Sequence, residues 1–162
     1  MTAPFRVLVV DDDRLSRVTT AQQLIKHGYQ AEAVGDGHAA LHALEQGRWD
    51  VVLTDLRMPD FDGIELLRQI RQRWSGVEVI LMTAFGTIET AVQAMQIGAA
   101  DFLVKPFQFD QLHVRLQRLQ ELSEARGELA ALRNLLGDRD EVCGMLGRSP
   151  LMAEVFRRIR IF

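Results

Sequence analysis

The sequence predicts an α/β protein in which a parallel β-sheet is covered by helices on both faces. Five short apolar runs recur along the chain, at residues 5–10, 30–34, 51–54, 77–82 and 101–104. The first, third and fourth lack polar alternation, which is how a strand buried on both faces reads. Helical patterns lie between the runs. Strands alternating with helices of this length form right-handed βαβ units and a parallel sheet.

Each helix has its own periodicity. Leu15, Val18, Gln22 and Ile25 step by three or four and predict an apolar stripe on the first helix, with Gly28 as its stop. Ala40, Leu41 and Leu44 mark a second helix ended by Gly47. Ile64, Leu67, Ile70 and Trp74 mark a third, before Gly76, and Ile88, Ala91, Val92 and Met95 a fourth, before Gly98. A fifth begins near Phe109, and Leu112, Leu116 and Leu119 are spaced to pack on the sheet.

From Leu122 the phase of the fifth helix shifts. Leu122, Ala125, Leu129, Leu132 and Leu136 step alternately by three and four, the spacing of a coiled-coil seam. Two readings fit: a dimer-forming linker helix, which the spacing favours, or an amphipathic helix lying on its own domain. Gly137 to Glu141 (G-D-R-D-E) reads as a helix break and polar linker. Ser149-Pro150 reads as an N-cap followed by proline at the first helical position. Leu151, Val155, Ile159 and Phe162 then make an apolar stripe up to the last residue, as if a helix had been cut off. The expected division is a globular domain over 1–121, a helical linker over 122–137, and a truncated further segment over 138–162.

Composition sets outer bounds. The chain has 162 residues, 48% hydrophobic and 25% charged, enough to bury a core without disulfides or a structural metal. The net charge of −3 argues against nucleic-acid binding through overall charge. The lone Cys143 cannot form an internal disulfide, so a reducing cytoplasmic setting is expected, with Cys143 itself a small apolar residue. No run of about 18 apolar residues is present, and residues 1–6 lack a signal-peptide pattern, so no membrane association is expected.

The residues that carry chemistry fall at equivalent places. Asp11, Asp12 and Asp13 follow the first run, Asp55 the third and Lys105 the fifth, and Thr83 ends the fourth. In a parallel sheet the C-terminal ends of the strands share one edge, where open α/β sheets bind ligands. Carboxylates gathered there repel and raise one another's pKa, so positive charge must offset them. Lys105 supplies one charge. A hard divalent cation with oxygen ligands, Mg2+ above all, is the natural second. A carboxylate in this setting can act as a nucleophile on phosphorus, with cation and lysine supplying charge neutralisation and the Thr83 hydroxyl holding a phosphoryl oxygen.

Four segments, V-V-D-D-D (9–13), T-D-L-R-M-P-D-F-D-G (54–63), M-T-A (82–84) and K-P-F (105–107), resemble the response-regulator receiver family over residues 5–121. The resemblance implies a flavodoxin-like, CheY-like fold with strand order 2-1-3-4-5. It implies that Asp55 takes a phosphoryl group from a sensor histidine kinase. Mg2+ would be held by Asp12, Asp55 and the main-chain carbonyl of Arg57, and by Asp11 through water. Thr83 and Lys105 would read the phosphoryl group, Phe102 would be the aromatic switch, and Lys105–Pro106 would be a cis peptide. The role of Asp13 stays open. Arg57 and Phe85 occupy positions that tune phosphoryl lifetime in the family, and their bulk suggests slowed water access.

The segment G-R-S-P-L-M-A-E-V-F-R-R-I (147–159) resembles the first helix of the ATPase module in NtrC-type, sigma-54-dependent activators. That resemblance implies a piece of a longer regulator that works, as a homodimer, with sigma-54 RNA polymerase and DNA. This part itself would not touch nucleic acid, and no Walker motif occurs in it.

Blander readings stand beside these. Asp62-Gly63 reads as a structural turn, and His27, His38, His42 and His113 as surface residues. Arg157, Arg158 and Arg160 read as a solvated helix face. Phe102, without the resemblance, reads equally well as a core aromatic. A phosphatase with an aspartyl nucleophile would need a second acid/base and a substrate cap, and no insertion for a cap is visible. A phosphorylation-independent dimerisation module would leave the intact Asp12, Asp55, Thr83 and Lys105 unexplained.

Overall fold

The computed structural model describes residues 4–59 and 61–142, with side chains up to 136. Cys143, the Ser149-Pro150 helix start, the stripe Leu151 to Phe162 and the arginines 157, 158 and 160 lie outside the described residues. The chain divides into two compact units, Met1–Leu116 and Gln117–Phe162.

In the first unit, strands β1 (Arg6–Val10), β2 (Gln30–Val34), β3 (Val51–Asp55), β4 (Glu78–Thr83) and β5 (Asp101–Val104) alternate with helices α1 (Arg14–Lys26), α2 (Gly37–Gln46), α3 (Gly63–Arg73) and α4 (Ile88–Ile97). Helix α5 (Phe109–Val142) follows. All strands are parallel, in the order β2-β1-β3-β4-β5. The strand ends shift slightly from expectation: Asp55 closes β3, and β4 runs one residue later than its apolar run.

The uninterrupted apolar runs form the central strands. Val7 to Val10, Val51 to Leu53 and Val79 to Leu81 are all fully buried. Alternate residues serve opposite faces. Leu8, Val10, Val52, Val79 and Leu81 form one core with Ala40 and Leu44 of α2, Leu66, Leu67 and Ile70 of α3, and Ala94 of α4. On the other face, within the first unit, the buried positions of α1 and α5 are Ala21, Leu24, Leu112 and Leu116. Burying a leucine of this kind contributes about 2 kcal/mol.

Two expected helix faces are corrected. In α1, Leu15, Val18 and Ile25 are exposed, while Ala21 and Leu24 are buried. In α4, Ile88, Val92 and Met95 are exposed and Ala94 is buried. Both helices carry apolar residues around much of their circumference, so periodicity alone does not single out the inward face. The short connections do. Asp13 caps α1 three residues beyond β1, accepting from the Leu15 N–H at 3.1 Å, which fixes the helix's rotation. Thr87 caps α4 in the same way, accepting from the Thr90 N–H at 3.1 Å. Gly98 ends α4 in the left-handed region, with φ of 118°, as its place after the helix predicts. Trp74 is the C-cap of α3 rather than a residue within it.

The expected break at Gly137 to Glu141 is also corrected, because α5 continues through these residues to Val142. One glycine within a helix costs only about 1 kcal/mol relative to alanine. Asp, Arg and Glu are compatible with helix, so polarity alone does not end it. Within the second unit, Leu122, Ala125 and Leu132 are exposed, Leu129 is partly covered and Leu136 is buried.

Candidate functional site

The parallel register converts separated sequence positions into neighbours. Val10 lies opposite Thr54, Asp55 opposite Met82, and Thr83 opposite Val104. Asp11, Asp55, Thr83 and Lys105 therefore meet at the C-terminal edge of the sheet. Lys105 Nζ donates to Asp11 Oδ2 at 2.7 Å and to Asp55 Oδ2 at 3.2 Å. Asp11 also accepts from the Ser16 hydroxyl at 2.7 Å and from the Asp13 N–H at 3.0 Å. Asp55 Oδ1 accepts from the Arg57 N–H at 3.3 Å.

The two carboxylates differ in environment. Burial alone would raise Asp11, but Lys105, Ser16 and the Asp13 N–H outweigh it and hold the carboxyl below its usual value. Burial raises Asp55, and the negative charge of Asp11 adds to the rise against the pull of Lys105 and the Arg57 N–H. Burial would lower Lys105, but its two carboxylate partners raise it. The distances account for the split. Lys105 sits closer to Asp11, which is satisfied as an anion, and leaves Asp55 less well compensated.

Asp12 is exposed and presents its carboxylate at the rim. One oxygen each from Asp11, Asp12 and Asp55 lies within 4.8 Å of the others. An all-oxygen donor set of this charge fits a hard divalent cation such as Mg2+.

Thr83 is buried, and its Oγ1 accepts from the Phe85 N–H at 3.1 Å. Its hydroxyl proton stays available to donate. Phe102 is half-buried and packs on the core. Gly86 sits against both: a Cβ there would come within 3.0 Å of Phe102 Cε1 and 3.3 Å of the Thr83 methyl. The Arg57 guanidinium lies 5.4 Å from the centre of the Phe85 ring, a contact between the β3–α3 and β4–α4 loops. Lys105–Pro106 is cis.

Several contributors were not legible as such. Asp13 caps α1, a role that a rule favouring Asp just before a helix would have found. Asp62 does more than shape a turn. It caps α3 by accepting from the Glu65 N–H at 2.7 Å, and Asp-x-x-Glu is a capping-box pattern. Gly63 lies behind the site. Its N–H donates to the Leu56 carbonyl at 2.8 Å, and a Cβ there would overlap the Asp55 carbonyl oxygen. Gly63→Ala is expected to cost about 1–3 kcal/mol by overpacking, read by urea denaturation. Wild-type stability in that variant would show that the backbone yields instead. Ser16 has no sequence signal, since it reaches Asp11 only through the first turn of α1. His113, expected at the surface, is half-buried and shares a 3.1 Å hydrogen bond with the Tyr29 hydroxyl.

Comparison with known proteins agrees with this geometry. Residues 7–117 match the family model described as "Response regulator receiver domain". The chain is similar to the regulatory protein AtoC of Escherichia coli K12, at 36% identity over 155 residues, covering 96% of this chain and 34% of AtoC. It is similar to the transcriptional regulatory protein ZraR of Salmonella typhimurium, at 37% identity, covering 94% of this chain and 34% of ZraR. It is also similar to the DNA-binding transcriptional regulator NtrC of Proteus hauseri, at 35% identity, covering 94% of this chain and 32% of NtrC. The chain thus spans about a third of the length of these relatives.

Among solved structures it resembles the receiver domain of a LuxO repressor protein from Vibrio parahaemolyticus, with TM-score 0.74, 28% identity, and coverage of 78% of this chain and 98% of that one. The chemotaxis protein CheY4 of Vibrio cholerae gives TM-score 0.69 at 31% identity, covering 72% and 99%. With the matched segment, the strand order and the converging carboxylates in agreement, the chain belongs to the response-regulator receiver family.

Proposed function

We propose that this domain is a phosphorylation-gated switch in which Asp55 accepts a phosphoryl group from a sensor histidine kinase. The observation that carries the reading is the shared Lys105 bridge to Asp11 and Asp55, beside an exposed third carboxylate, Asp12. An Asp55 oxygen attacks phosphorus, the bond from phosphorus to the donor's imidazole nitrogen breaks, and an aspartyl-phosphate forms. Asp12, Asp55 and the Arg57 carbonyl would hold Mg2+, with Asp11 acting through water. The cation supplies charge neutralisation at the phosphoryl oxygens. Lys105 is already within reach of the accepting carboxylate, and Thr83 donates its hydroxyl to a phosphoryl oxygen.

The switch then follows from position. Drawing Thr83 toward the phosphoryl group moves the β4–α4 loop, whose Gly86 lies against Phe102. A charge change at one edge is thereby passed to the α4–β5–α5 face. The similarity to NtrC, ZraR and AtoC supports an attached transcription-activating ATPase acting with sigma-54 RNA polymerase and DNA, in the cytoplasm. The test of the phosphoacceptor is mass spectrometry after incubation with acetyl phosphate and Mg2+. The expected result is a mass gain of one phosphoryl group, mapped to Asp55.

The leucine spacing beyond Leu122 supports a homodimer formed by the second half of α5. Leu122 and Leu132 are exposed apolar positions on it. Sedimentation equilibrium is expected to show a dimer that Leu129→Asp combined with Leu132→Asp converts to monomer. A wild-type monomer at high concentration would refute the linker reading and leave the phosphoacceptor reading intact.

A further inference from the structure

We propose that Arg17 is a positioning residue of the acidic site, holding the backbone around Asp12 in the geometry a divalent cation uses. The proposal rests on the receiver reading and adds a residue to it. Arg17 Nη1 donates to the carbonyl oxygens of both Asp11 and Asp12, each at 3.3 Å. These two carbonyls belong to the peptide planes on either side of the Asp12 Cα. Fixing both planes fixes φ and ψ of Asp12, and so the direction in which its exposed carboxylate leaves the loop.

The guanidinium lies against Gly35, just after β2, which leaves it room. A Cβ at Gly35 would stand 3.3 Å from Arg17 Nη1 and 3.5 Å from Cζ. The same loop is tied to β2 by the Asp11 N–H, which donates to the Val34 carbonyl at 3.2 Å. Arg17 thus braces the β1–α1 loop beside the β2–α2 turn, the two N–H groups of Nη1 serving the two carbonyls.

Positioning and simple electrostatics predict opposite signs. As a bare charge, Arg17 repels a cation, so its removal would tighten Mg2+ binding. As a brace, its removal loosens Asp12 and weakens binding. Calorimetric titration of Arg17→Met with Mg2+ is expected to show about tenfold weaker affinity, the loss typical of a hydrogen bond from a charged donor. Arg17→Lys keeps the charge on a donor of different reach and shape and is expected to recover only part of it.

Two further readouts separate positioning from plain stability. In metal-free protein, the amide resonances of Asp12 and Asp13 should shift in Arg17→Met. Gly35→Ala, which crowds the guanidinium while keeping it, should weaken Mg2+ in the same direction. Wild-type or tighter Mg2+ affinity in Arg17→Met overturns the proposal. If that variant does not fold, wild-type affinity in Arg17→Gln, which lacks the guanidinium, does so. A wild-type protein that binds no Mg2+ would instead overturn the receiver reading on which the proposal stands.

Discussion

Asp55→Asn is expected to abolish phosphoryl uptake from acetyl phosphate, a loss on the order of 10³-fold or more, because the nucleophile itself is gone. Intact-mass analysis in the presence of Mg2+ is the measurement, and persistent labelling of the variant would show that another residue is the acceptor. The environment of Asp55 adds a pH signature. Burial and the neighbouring Asp11 charge raise its pKa, and only the ionised carboxylate attacks phosphorus. Uptake by the wild type should therefore fall as pH drops through that raised value, sooner than for an ordinary aspartate. The same variant should lose the Mg2+-dependent rise in melting temperature. In the wild type, binding worth about 2.7 kcal/mol is expected when Mg2+ is at a hundred times its Kd. An unchanged Mg2+ response in Asp55→Asn would remove Asp55 from the ligand set.

Lys105→Met is expected to give the largest loss of stability at the site. Asp11 is almost fully buried and holds Lys105 at 2.7 Å. Removing one partner of such a pair leaves an uncompensated charge and costs about 3 kcal/mol. The sign of the pH dependence follows from the shifts. Asp11 is lowered, so its contribution is present above the unfolded carboxyl range and is lost as pH falls through the folded value. Lys105 is raised, so its contribution holds at neutral pH and is lost as pH rises through its own folded value. Asp55 is raised, so folding favours its protonated form and stability gains as pH falls through that value. The gap between wild type and variant should thus be widest near neutrality and narrow as the carboxyls protonate. Mg2+ should recover part of the neutral-pH deficit, since it replaces the missing positive charge. Urea denaturation at neutral and acid pH, with and without Mg2+, reads both effects. A deficit that does not shrink on acidification would place the destabilisation elsewhere than in the ion pair.

The order of elements and the residues of the site were legible because they depend on local pattern. Short, uninterrupted runs rich in Val, Ile and Leu and alternating with helical patterns read as strands buried on both faces. The glycines after α1, α2 and α4 stand where those helices end, as their positions beyond the periodic residues predict. Once the strands are parallel, Asp11, Asp55, Thr83 and Lys105 must share one edge, whatever the details of packing.

Other features depend on how neighbouring segments meet. Which face of α1 or α4 turns inward was decided by the caps Asp13 and Thr87 and by short loops, against the apolar spacing of Leu15, Val18, Ile25, Ile88, Val92 and Met95. The continuation of α5 through Gly137 was decided by helical context, which outweighs a penalty of about 1 kcal/mol. The unequal treatment of Asp11 and Asp55 by one lysine, the Ser16 hydroxyl on Asp11, the Arg17 brace and the contact of Gly63 with Asp55 all join residues that no periodicity connects. Sequence by itself determined the fold, the strand order through its family resemblance, and the choice of Asp55 as the proposed phosphoacceptor. Tertiary structure alone decided the charge balance around that carboxylate, because electrostatic compensation depends on distances of a few ångströms between chain segments far apart in sequence.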